Sequence, residues 1–150
     1  MNTLRPILLV EDNPNDLELT LEALKERHVG NRIDVARDGV EALQYLRREG
    51  PFANRIPEIP SMVLLDLKLP KLDGLQVLRE IKSDPVFKII PVIMLTSSRE
   101  ESDLIKSYDL GVNAYVVKPV DFEQFFEAVQ RIGAFWAVVN EPCPAPAIGA

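Results

Sequence analysis

Residues 62–74 read Met62-Val63-Leu64-Leu65-Asp66-Leu67-Lys68-Leu69-Pro70-Lys71-Leu72-Asp73-Gly74. Four apolar side chains in a row end in a carboxylate, and turn residues follow. An unbroken apolar run this short, bounded by turn signals, is a strand covered on both faces. Asp73-Gly74 then opens a helix that carries Leu75, Leu78 and Ile81 on one side. A buried strand feeding a helix is the unit of a parallel sheet. Ligands of such sheets sit beyond the carboxyl ends of the strands, where Asp66 falls.

The same unit recurs on either side. Towards the N-terminus, Ile7-Leu8-Leu9-Val10 precedes Asn13-Pro14, an N-cap followed by proline at the first helical position, with Leu17, Leu21 and Leu24 on one face. Ile33-Asp34-Val35-Ala36 alternates, as a strand at or near a sheet edge does. It precedes a capping-box pattern at Asp38 and Glu41 and a helix through Val40, Leu43 and Leu46. Towards the C-terminus, Pro91-Val92-Ile93-Met94-Leu95 is followed by Ser98 and Glu101, which read as a further capping box. That helix carries Leu104, Ile105 and Tyr108 and stops at Gly111. Ala114-Tyr115-Val116-Val117 precedes Asp121 and Gln124, which open a helix along which Phe122, Phe125, Phe126, Val129 and Ile132 recur. Five strand–helix units predict an α/β fold, a doubly wound five-stranded parallel sheet with helices on both faces. Right-handed crossovers leave few topologies, and strand order 2-1-3-4-5 leads them. Gly50 to Ser61, with three prolines, reads as irregular.

Composition narrows the function. The chain has 150 residues, 47% hydrophobic and 27% charged, which suits one soluble domain with a substantial core. A net charge of -6 argues against a nucleic-acid partner, which needs a clustered basic face. One Cys and one His cannot build a zinc site, and Cys143 has no partner for an internal disulfide. No apolar run approaches the ~20 residues that span a bilayer. The N-terminus offers no signal-peptide cleavage site, so neither membrane nor export is expected and a cytoplasmic location follows.

The residues after each apolar run carry the chemistry. Glu11 and Asp12 follow the first, Asp66 the third, Thr96 closes the fourth, and Lys118-Pro119 follows the fifth. A lone Asp at a strand end is usually a turn former or cap, and Asp38 and Asp73 are explained by capping. Joint occurrence at successive strand ends reverses that reading for the other residues. Three carboxylates in one cleft repel unless a cation offsets them. Mg2+, a hard cation that takes oxygen ligands and retains water, does so. Such a site suits phosphoryl transfer to a carboxylate, with metal and Lys neutralising the equatorial oxygens and a hydroxyl donating to one of them.

In order and in register from about Ile7 to Ile132, the segments Leu9-Val10-Glu11-Asp12-Asn13, residues 64–74, Leu95-Thr96-Ser97 and Val117-Lys118-Pro119 resemble the receiver domains of two-component response regulators. The resemblance implies that Asp66 is the phosphoacceptor for a sensor histidine kinase. It implies Mg2+ held by Asp12, Asp66 and the backbone carbonyl of Lys68, with Glu11 acting through metal-bound water. Thr96 corresponds to the switch hydroxyl, Lys118 to the ammonium that pairs with the phosphoryl group, and Tyr115 to the aromatic that responds. The Lys118–Pro119 bond is cis on this resemblance. The family is a signalling family that assists its own phosphorylation and dephosphorylation. Glu11-Asp12 replaces the commoner Asp-Asp pair, which leaves metal binding intact. Lys68 flanks the path of attacking water, which leaves the dephosphorylation rate open.

With no output domain, signalling is expected to pass by protein–protein contact. The Gly50–Ser61 insertion and the Phe135-Trp136 pair resemble receivers partnered with phytochrome-type histidine kinases. The alternatives are a flavodoxin-like FMN binder, whose phosphate loop Glu11-Asp12 would repel, and a haloacid-dehalogenase-type phosphatase, whose second Asp is replaced by Lys68. A pseudo-receiver adaptor that works without phosphorylation is the third. Residues 1–139 are expected to form the receiver with an extended last helix, and 140–150 a proline-rich extended tail with Cys143 exposed. Phe135, Trp136, Val138 and Val139 continue past the point where the domain is complete. They are expected to form the interface of a two-fold homodimer rather than bend back at Gly133.

Overall fold

A computed structural model describes residues 5–26 and 30–144 of the chain, so the last six residues of the expected tail lie outside the described residues. The strands are β1 (Ile7–Val10), β2 (Ile33–Ala36), β3 (Met62–Leu65), β4 (Val92–Thr96) and β5 (Ala114–Val117). The helices are α1 (Pro14–Glu26), α2 (Gly39–Arg47), α3 (Gly74–Ser83), α4 (Glu101–Asp109) and α5 (Phe122–Ile132). All pairings are parallel and the order is β2-β1-β3-β4-β5, as expected.

The pleat sorts the core into two layers. Leu8 and Val10 point to one face with Val63, Leu65, Val92 and Met94, and meet Leu43, Tyr45 and Leu46 of α2 and Val77, Leu78 and Ile81 of α3. Ile7 and Leu9 point to the other with Met62, Leu64, Ile93 and Leu95, and meet Leu17 and Leu24 of α1 and Phe125, Val129 and Ile132 of α5. The central strands β1, β3 and β4 are buried along their whole length, which their continuous apolar runs require. The edge strands are covered less, and β5, despite its apolar run, is half-buried throughout.

Most helix starts follow the capping logic. The Asn13 side chain accepts from the backbone N–H of Asn15 and Asp16, Asp38 accepts from Glu41, and Asp121 from Gln124. Asp73 and Gln76 form a complete capping box. The start of α4 departs from expectation: Ser98 and Glu101 make no box. Glu100 is the cap residue without a side-chain cap, and the Ser98 hydroxyl instead donates to the Asp103 carboxylate at 2.6 Å. The helix begins two residues later than a Ser98 cap requires, and the Ser98 hydroxyl oxygen accepts from Glu100 N–H at 3.3 Å instead. Leu104, Ile105 and Tyr108 are exposed, not packed inward, and the buried residue of α4 is Ser107. Gly111 ends the helix in the left-handed region, φ 96°, as expected.

Beyond α5 the chain does not bend at Gly133, which stays helical at φ -60°, ψ -45°. It continues as a π-helical stretch, Gly133–Val139. Trp136 and Ala137 pack on the α1/α5 layer of the chain's own core, and Trp136 is half-buried. The wider helical turn carries the indole back over α5 without a break. Phe135, Val138 and Val139 are exposed. Cys143 is exposed, as expected.

Candidate functional site

Backbone hydrogen bonds carry the sheet ladder one residue past the strands and so fix the site. Glu11 N–H donates to the Ala36 carbonyl at 3.0 Å, Asp66 N–H to Val10 at 3.2 Å and Lys118 N–H to Thr96 at 2.7 Å. Because Val10 is level with Leu65 and Thr96 with Val117, the side chains of Glu11, Asp66 and Lys118 leave β1, β3 and β5 at the same carboxyl-terminal edge of the sheet. Close packing below holds Asp66. A Cβ on Gly74, the first residue of α3, would collide with the Asp66 carbonyl oxygen and come within 2.7 Å of Leu67 Cα. Only glycine lets α3 start this close to the end of β3. A Cβ on Gly39 would likewise strike the Leu72 backbone, so α2 presses on the loop that carries Lys68. Lys71 takes a left-handed conformation there, φ 68°, and its ammonium lies 3.4 Å from Asp38.

The polar groups converge as expected. Carboxylate oxygens of Glu11, Asp12 and Asp66 lie within 4.8 Å of one another. Glu11 and Asp66 are buried and Asp12 is exposed. The Lys118 ammonium, itself buried, donates to Glu11 Oε1 at 2.6 Å, Asp66 Oδ2 at 2.9 Å and Asp16 Oδ2 at 2.9 Å. The other Asp66 oxygen accepts from Lys68 N–H at 3.3 Å. Burial pushes the Glu11 carboxyl up to about 7 against the pull of its Lys118 hydrogen bond, and the Asp66 charge adds to the rise. Burial pulls Lys118 down, but its hydrogen bonds to Glu11, Asp66 and Asp16 outweigh it and hold the ammonium above the ordinary lysine range.

Thr96 is fully buried at the end of β4, and its hydroxyl oxygen accepts from Ser98 N–H at 3.4 Å. On β5, one residue before the level of Leu95, Tyr115 packs against the α2/α3 layer, and its hydroxyl donates to the Ser98 carbonyl at 3.0 Å. Thr96 and Tyr115 therefore meet through one residue, Ser98. An open cleft of about 580 Å³ beside Asp12 is lined by the Lys68 loop, Asp73, Glu100 and Asp103.

One sequence expectation is revised here and one residue is added. The Lys118–Pro119 bond is trans, as no described peptide is cis; Lys118 reaches its acceptors with the trans geometry that most X–Pro bonds adopt. Asp16 was missed, because an acid in a first helical turn is explained by the helix dipole alone. The signal available is its place in the first turn of α1, directly after the β1 end that carries Glu11 and Asp12.

A hard divalent cation fits the donor set, which consists of carboxylate oxygens without thiol or imidazole. Such an ion would draw on Asp12, Asp66 and Glu11.

Comparison with known proteins agrees with this geometry. Residues 7–130 match the response regulator receiver domain family. The chain is 44% identical over 135 residues to "Response regulator Rcp1" of Synechocystis sp., covering 90% of each. A structure of the Mn(2+)-bound form of Rcp1 superposes with TM-score 0.86 at 41% identity, over 95% of this chain and 99% of that one. The phosphorylated cyanobacterial phytochrome response regulator RcpA superposes with TM-score 0.88 at 46% identity, covering 93% of this chain and 99% of that one. The bacteriophytochrome response regulator AtBRR is 61% identical, with TM-score 0.75, over 93% of this chain and all of that one. By sequence, topology and the acids at its strand ends, this chain belongs to the response regulator receiver domain family.

Proposed function

We propose that this receiver accepts a phosphoryl group on Asp66 from the phosphohistidine of a phytochrome-type sensor kinase. The observation that carries the assignment is the position of the Asp66 carboxylate, buried at the end of the central strand β3 with Lys118 Nζ 2.9 Å away. An Asp66 oxygen attacks phosphorus, the P–N bond to the kinase imidazole breaks, and the imidazole leaves. Lys118 offers its ammonium to the transferring oxygens, and the Lys68 N–H orients the carboxylate. Mg2+, held by Asp12, Asp66 and the Lys68 carbonyl with Glu11 behind a metal-bound water, would add charge neutralisation when bound. The neighbours named for phytochrome signalling support the kinase class, and the Mn(2+)-bound neighbour supports the metal.

Thr96 then follows the phosphoryl group, and Tyr115 senses the change through Ser98, altering the exposed face of α4 and α5. The exposed Phe135, Val138 and Val139 form the contact of a two-fold homodimer, with Trp136 as a floor beneath them. Residues 1–139 act as this unit in the cytoplasm, with 140–150 as a proline-rich segment that follows it in sequence. The test is phosphotransfer from an autophosphorylated phytochrome-type kinase in Mg2+. Rapid movement of label to this chain, far faster than from an unrelated kinase, is expected. Transfer at the same rate from either would contradict the kinase assignment.

A further inference from the structure

Lys118 has three donor hydrogens and three carboxylate acceptors, and two of those acceptors have a second claim on them. Glu11 and Asp66 belong to the cluster that suits a cation, and Asp66 also has to take the phosphoryl group. Either event pulls their oxygens away from the ammonium. Asp16 stands outside that cluster. Its side chain is 28% exposed, yet its carboxylate is turned inward to Lys118 Nζ at 2.9 Å. The backbone beneath it is held at both ends: its N–H donates to Asn13 Oδ1 at 3.2 Å, and its carbonyl accepts the Thr20 hydroxyl at 2.7 Å. The contact joins the first turn of α1 to the end of β5, 102 residues away in sequence.

We propose that Asp16 is the positioning residue that keeps the Lys118 ammonium aimed at the site while Glu11 and Asp66 turn to metal and phosphoryl group. Helix-dipole stabilisation alone would be served equally well by a carboxylate pointing to solvent. The inward hydrogen bond is what that explanation leaves over. Without Asp16, Lys118 keeps only acceptors that metal and phosphoryl group compete for until the transferring oxygens arrive, and its flexible four-carbon stem is left unaimed in the interval. Asp16 touches neither the phosphoryl group nor the metal ligands and acts through Lys118. The inference rests on the phosphoacceptor reading for its consequence, though not for the contact itself.

The test has two readouts. The first uses unphosphorylated protein saturated with Mg2+, the state in which Glu11 and Asp66 turn to the ion, and follows the two ε-methylene protons of Lys118 by NMR, which differ in shift only while the side chain is held in one orientation. Asp16→Ala should shrink that difference, and Asp16→Asn, which keeps an acceptor oxygen, should preserve part of it. The second is the rate of phosphorylation by acetyl phosphate in Mg2+. Asp16→Ala should slow it about fivefold in the parent chain and have no further effect in a Lys118→Ala background. An unchanged Lys118 splitting in Asp16→Ala would overturn the proposal, as would an equal slowing in both backgrounds. If the parent itself took no phosphoryl group, the phosphoacceptor reading would fail while the splitting still decided whether Asp16 holds Lys118.

Discussion

Lys118 Nζ lies 2.6 Å from Glu11 Oε1, both groups buried, at the point where strands β1 and β5 end on either side of β3 and β4. The pairing keeps a lysine charged in the interior, while burial lifts Glu11 to a pKa of about 7. A carboxyl with that value carries a proton over much of the range below neutrality, and that proton must leave before the carboxylate can assist a cation. Affinity therefore falls as pH falls through about 7. Mg2+ should bind about tenfold more weakly near pH 6 than near pH 8, read by calorimetry, and Glu11→Gln should flatten the profile. A parent profile that is already flat would remove Glu11 as the titrating group.

Gly74 tests how the phosphoacceptor strand is held. A methyl group there meets the Asp66 carbonyl and Leu67 Cα, both backbone, so no rotamer relieves the clash. Gly74→Ala should lower stability by about 3 kcal/mol in urea unfolding, well beyond what a loss of helix-start flexibility explains. A stability within error of the parent would mean that α3 can shift away from β3 freely.

Thr96 and Tyr115 should separate phosphorylation from response. Thr96→Ala leaves the Asp66 carboxylate and Lys118 in place, so label should still be incorporated. The link from Thr96 through Ser98 to the Tyr115 hydroxyl is cut at its first member. Phosphorylation-dependent NMR shifts in β5 and α5 should shrink by half or more, and a full response in the variant would rule out the link.

Much of this was legible from the chain. Unbroken apolar runs at β1, β3 and β4 are what a sheet covered on both faces needs, and the cap residues Asn13, Asp38, Asp73 and Asp121 act through contacts two or three residues away. Glu11, Asp66 and Lys118 could be placed because a parallel sheet brings successive strand ends together. What escaped was set by side-chain choices and by long-range packing. Ser98 gave its hydroxyl to the Asp103 side chain within α4 instead of capping the helix, Asp16 found a partner beyond a distant strand, and Trp136 packed on its own core along a π-helical stretch that no spacing announces. The outward face of α4 shows the same limit. Its apolar period marks a helix but not which neighbour, if any, covers it.

The C-terminal segment bears on assembly. Phe135, Val138 and Val139 are exposed on one stretch of helix, while Trp136 is needed by the chain's own core. Phe135→Asp with Val138→Asp should therefore convert a dimer to a monomer in light scattering, with the thermal midpoint within a few degrees of the parent. A parent that is monomeric at high micromolar concentration, phosphorylated or not, would remove the dimer.

The central claim is that Asp66 receives the phosphoryl group, and the mass of the intact protein after treatment with acetyl phosphate in Mg2+ tests it most directly. The parent should gain the mass of one phosphoryl group, lost again on exposure to base as an acyl phosphate is. Asp66→Asn, which keeps the shape of the side chain and removes the nucleophile, should gain nothing. A full phosphoryl mass on Asp66→Asn, or none on the parent, would contradict the account.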